Sequence, residues 1–163
     1  MANGTEMTMD LIELPAMQFT GIERNYQALQ QEENGFGKLW TEHFPEKRSL
    51  IQPISIEGRA YGVYRINKET KKLNEPTSFC AALKTDSADQ VPEGCARYAL
   101  PPSKYAFFAQ APGYLCELAE LITTKIAEAG LAVAEDATCF ETDAPPKSGQ
   151  GASVNVWVPV VAK

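Results

Sequence analysis

The pattern that most restricts this chain is an order of strand, helix, strand, strand that occurs twice. Strands bury side chains with period two and helices with period 3.6, so the succession of periods limits the layers that can form. In the first half, residues 14–22 alternate as a strand opened by Pro15. Phe36, Leu39, Trp40, His43 and Phe44 then recur at helical spacing, from an N-cap at Asn34 to a stop at Pro45. Residues 59–66 and 79–85 read as two further strands. In the second half, residues 105–110 form a strand, and Leu115, Leu118, Ile122 and Ile126 make an apolar helical stripe closed by Gly130. Residues 138–143 and 154–161 complete the unit across a Pro, Gly and Ser-rich turn at 144–151. The expected class is α+β. Two pseudo-symmetric β-α-β-β units form an antiparallel sheet with both helices on one face and a crevice where the halves meet.

A chain of 163 residues suits one core. We expect a flexible N-terminus over 1–10, then a single domain over 11–163 with its repeat at roughly 11–86 and 96–161. Charge narrows the function. A net charge of -6, with Lys68, Lys71 and Lys72 as the densest basic group, leaves no footprint for nucleic acid. Cys80, Cys95, Cys116 and Cys139 are widely spaced and His43 is the single histidine, so neither a metal nor another cofactor is expected. No leader and no apolar run of membrane-spanning length is present, which points to a cytoplasmic protein without membrane contact. The chain also lacks a nucleophile elbow, a phosphate-binding loop and a dinucleotide fingerprint, so binding rather than catalysis is expected.

Glu141 is the first candidate binding residue. A carboxylate among aromatic strands suits a cation, because removing a charge from water is costly unless a counter-charge or hydrogen bonds offset it. Alternation puts Glu141 with Cys139 and Asp143 on one face and Phe140 with Thr142 on the other. In the last strand, Val154, Val156, Val158 and Val160 form the row for packing under helices, leaving Asn155 and Trp157 on the opposite side as candidates for a pocket wall. Tyr61 and Tyr64 point to opposite faces, and Gly62 opens space beside Tyr64, which favours Tyr64 while Tyr61 stays a candidate. Tyr105 and Phe108 likewise diverge, and alternation does not choose between them. Trp40 lies on the apolar stripe of the first helix, with its indole edge within reach of the crevice.

Leu39-Trp40, Tyr61-Gly62-Val63-Tyr64, Val91-Pro92-Glu93-Gly94, the run from Leu100-Pro101-Pro102 through Ser103-Lys104-Tyr105-Ala106-Phe107-Phe108, and Phe140-Glu141 occur in one order. Together they resemble the gyrase-inhibitor-like effector-binding domain, which also occurs in AraC-type and multidrug-responsive regulators. The resemblance implies an aromatic-lined ligand bowl between the β-α-β-β halves, with a glutamate near its floor matched by Glu141, and cationic, lipophilic compounds as ligands. Members often carry a tyrosine soon after the glutamate, whereas Thr142 and Asp143 follow here. About ten residues precede the first strand, too few for the DNA-binding module of the regulators. Two alternatives come with the resemblance. One is hydrolysis of reactive electrophiles by the same glutamate with an aromatic hydroxyl, and the other is modulation of a gyrase-like protein partner. Edge strands leave a homodimer open.

Overall fold

Pro15 separates two strands where the sequence reading placed one. In the computed structural model, which describes residues 7–86, 91–144 and 153–163, β1 (Met9–Leu14) ends before it and β2 (Met17–Asn25) begins after it. Strand pairing thus starts at Met9, inside the stretch expected to be a flexible end. Asn25 caps α1 (Tyr26–Gln31) by accepting a 2.9 Å hydrogen bond from the Ala28 amide. That helix went unread because only Tyr26 and Leu29 of its six residues are buried, too few to show a period. The helix expected at 34–44 is a longer run: α2 (Gly35–Lys38), a π turn (Leu39–His43) and α3 (Phe44–Ile51). Pro45 does not stop it. The π turn comes directly before α3, with the Phe44 N–H reaching back to the Leu39 carbonyl, and this widened turn accommodates the proline and its missing N–H within a continuing helix. Asn34 precedes α2 in a left-handed conformation (φ 54°) and its side chain makes no cap bond.

The remaining elements are β3 (Ser55–Ile66), β4 (Pro76–Thr85), β5 (Ala96–Leu100), β6 (Ser103–Ala111), α4 (Ala119–Glu128), β7 (Leu131–Val133), β8 (Thr138–Asp143) and β9 (Val154–Ala162). Strands β5 and β7 are too short to have announced themselves by alternation. The expected turn at 144–151 lies, beyond Ala144, outside the described residues.

All pairings are antiparallel, in the order β1-β6-β9-β8-β3-β4-β2-β5, with β7 against the end of β9. The two halves, β2-β4-β3 and β6-β9-β8, mirror one another across the β3–β8 seam, where Gly62 pairs with Glu141. Each half also lends its leading strand to the other: β1 precedes β2 but pairs with β6, and β5 precedes β6 but pairs with β2. The links that make this exchange, Pro15-Ala16 and Pro101-Pro102, are two residues long. Three residue steps span at most roughly 11 Å, so the sheet must curl until its two edges meet at that end.

The curl gives the sheet unlike faces. On one, all the helices pack over Tyr64, Phe79, Leu83, Phe108 and the row Val154, Val156, Val158 and Val160, as the alternation predicts. On the other, no helix among the described residues contributes, and Phe19, Tyr61, Tyr98, Tyr105 and Phe140 fill the curl, with Ile12, Leu14 and Trp157 packed against them. The β3–β8 seam runs between the helical layers of the two halves, and the space above it is the crevice.

Candidate functional site

Glu141 sits at the floor of that crevice with 5% of its surface exposed. Its position follows from strand parity: it shares a side with Cys139, which packs in the helix-side core. The Tyr64 hydroxyl donates to Oε2 at 2.6 Å, and the Leu115 amide donates to Oε1 at 2.8 Å. Leu115 belongs to the turn before α4, where amides have no intrahelical acceptor and are free to hold a carboxylate. Gly62, opposite Glu141 in register, keeps the floor open. A Cβ there would lie 2.8 Å from Phe79 Cε1 and 3.5 Å from Glu141 Oε2.

Above the floor is a cavity of about 600 Å3. Its aromatic walls are Tyr26, Phe36, Trp40, Tyr64 and Phe79, with Tyr114, 45% exposed, at the mouth. The rings support one another edge to face, Tyr64 to Phe79 at 4.9 Å and Phe36 to Phe79 at 5.3 Å between centroids. Glu117 and Asp143 join Glu141 in the lining, and no Lys, Arg or His is among the described residues there.

Burial pushes the Glu141 carboxyl up to about 7, against the opposing pull of the Tyr64 and Leu115 hydrogen bonds, with Asp143 and Glu117 raising it further. Burial also raises Tyr64 well above the ordinary tyrosine range, followed by the Glu141 charge, and it pushes the Cys116 thiol up to about 11. These hydroxyl and thiol groups therefore remain protonated near neutrality. The floor offers one titrating acid, fixed by two donors, beneath faces of aromatic rings that attract positive charge.

Of the residues expected from sequence, Glu141, Tyr64 and Trp40 line this cavity. Trp157 does not. It lies on the opposite face, stacked on Phe140 at 4.8 Å and beside Phe107 at 4.9 Å, because the valine row of β9 takes the helix side. Tyr61 and Tyr105 are in the same aromatic filling, and the Tyr61 hydroxyl bonds to Glu57. Phe108 faces the helices but is fully buried in packing, outside the cavity lining. Asn155 accepts a hydrogen bond from the Gln110 amide at 2.9 Å, next to the register shift between Phe108 and Ala111, and so serves the bulge. Sequence reasoning did not pick out Tyr26, Phe36, Phe79, Tyr114, Cys116 and Glu117 as lining residues. Phe79 was within reach, since it pairs with Tyr64 in register and shares its face. Tyr26 carried no such signal, because its helix was unread.

Among the described residues, no helix is long and apolar enough to cross a membrane, and no group of three His, Cys, Asp or Glu is placed to hold a metal ion. The sequence profile of the integron-associated effector binding proteins, Cass2, matches residues 10–160. No curated protein matches. Among solved structures, SAV2435 bound to tetraphenylphosphonium is similar over 95% of this chain and 94% of its own, with 18% identity and a TM-score of 0.61. The EcmrR C-terminal domain is similar over 96% and 99%, with 13% identity and a TM-score of 0.63. An integron cassette protein from the mobile metagenome of Vibrio cholerae is similar over 94% and 95%, with 17% identity and a TM-score of 0.53.

Proposed function

This chain belongs to the Cass2 family of integron-associated effector binding proteins, with a gyrase-inhibitor-like fold, and we propose that its effector is a small, lipophilic, aromatic cation held over Glu141. The observation that carries this reading is a buried carboxylate at the floor of an aromatic cavity in which no described residue supplies positive charge. An ionised carboxylate in that setting is left without a counter-ion, and an incoming cation provides one while its apolar surface leaves water. Each aromatic face adds about 0.5 to 2 kcal/mol of attraction, according to how completely the ligand is desolvated. The tetraphenylphosphonium on a structurally similar protein is a lipophilic cation of the same kind.

Fluorescence titration with matched aromatic dyes, one cationic and one neutral, tests the reading. The cationic dye binds more tightly, and Glu141→Gln removes most of its advantage. Equal affinity for the two dyes, or no loss in the variant, contradicts it.

One observation favours a second reading. A carboxyl near neutrality with a tyrosine hydroxyl at 2.6 Å is the pair a general-base hydrolase of small electrophiles requires. That reading requires time-dependent ligand turnover that disappears in Glu141→Gln. Recovery of a bound compound intact after long incubation excludes it.

A further inference from the structure

We infer that the effector carries two positive centres, a delocalised aromatic cation over Glu141 and a second charge at the mouth of the cavity, between Glu117 and Asp143. The inference rests on the cation-receptor reading above and adds to it the number and placement of charges. All three acids line the same cavity, with Glu141 buried at the floor and the other two exposed. The adjacent amides of Tyr114 and Leu115 hold Oε1 of Glu117 and Oε1 of Glu141, each at 2.8 Å. Two such bonds and one residue step of under about 3.8 Å place those oxygens within roughly 9 Å of each other. Asp143 follows Glu141 by two residues on the same side of β8, roughly 7 Å along the strand.

The acids nevertheless do not converge on a common point, since no three of them could share a metal ion. Their charges suit a ligand whose positive centres are spread along its length, since a monocation seated at the floor meets Glu141 and leaves unused the attraction of the two exposed acids at the mouth. Tyr114 stands between the two levels, exposed at the mouth and close enough to feel all three carboxylates. Glu117 also holds the turn before α4 through its bond to the Tyr114 amide, a role that Gln retains because its amide oxygen accepts the same bond.

Ethidium and propidium share one phenanthridinium ring system, and propidium adds a quaternary ammonium on a short chain. Titration of both by fluorescence at low ionic strength tests the inference. Propidium is expected to bind about tenfold more tightly, with the advantage shrinking as salt screens the exposed acids. In the Glu117→Gln, Asp143→Asn double variant the ratio of the two affinities falls to about one, whereas in Trp157→Phe, altered on the opposite face, it stays as in the unsubstituted protein. Ethidium binding that depends on Glu141 with no preference for propidium, or a preference that survives the double variant, overturns the two-centre inference alone. Failure of both dyes to bind in a Glu141-dependent way overturns the reading on which it rests.

Discussion

An ionised Glu141 is costly to the empty protein, and on the proposed reading a bound cation offsets that cost. Its carboxyl is pushed up to about 7 by burial, above the ordinary value of 4.5, so between those two values the folded chain binds more protons at this site than the unfolded chain. Stability therefore falls as pH rises through that window, and above it the full cost, as much as about 3 kcal/mol, is present. Glu141→Gln removes the charge while its amide still meets both neighbours, accepting from Leu115 N–H and donating to the Tyr64 oxygen. Thermal melts of the ligand-free proteins should show the variant more stable than the parent at pH 8 and nearly equal to it at pH 4. A variant less stable at pH 8 would mean that the two hydrogen bonds outweigh the desolvation. At this scale the sequence was informative: Gly62 beside Tyr64 pointed to open space, and a carboxylate alone among aromatic strands pointed to a charge in need of a partner.

At the scale of elements, parity assigned residues to faces, but the helices determined which face held the cavity. The valine row of β9 was placed under the helices correctly, and that same placement puts Trp157 on the far side of the sheet from Glu141. The cavity opens on the helix side, because the helical layers of the two halves leave the β3–β8 seam uncovered between them. Alternation along a strand cannot report that gap, which depends on where helices end. The helix boundaries were hidden for local reasons: α1 is short, and Pro45 was taken as a stop although the π turn before it carries the helix through. The two tryptophans turn this division into a measurement, since Trp40 lines the cavity and Trp157 stacks on Phe140 behind it. Ligand should quench the emission of Trp157→Phe, which retains Trp40, and leave that of Trp40→Phe nearly unchanged. The reverse pattern would move the site to the other face.

At the scale of the whole molecule, the exchange of leading strands ties the two halves into one unit. Strand β1 cannot pair without β6 from the other half, nor β5 without β2, and the β3–β8 seam joins the halves again through the floor of the site. Separate unfolding of one half would strip partners from the other, so urea unfolding followed by far-ultraviolet circular dichroism, by Trp40 and by Trp157 should give coincident transitions. Two resolved steps would show that the halves are independent. The repeat was legible as an order of elements, but the exchange was not, because β5 is short and β1 was merged with β2 across Pro15. On the reading proposed above, binding and folding meet at the seam, where the titrating Glu141 carboxylate is the counter-charge to the aromatic cation. Isothermal titration of tetraphenylphosphonium as a function of pH tests that claim most directly. With a carboxyl near 7, affinity should fall about tenfold from pH 8 to pH 6 as the ionised fraction drops, and Glu141→Gln should bind weakly without this dependence. Affinity in the unsubstituted protein that is constant across that range, or a pH dependence that persists in Glu141→Gln, would contradict it.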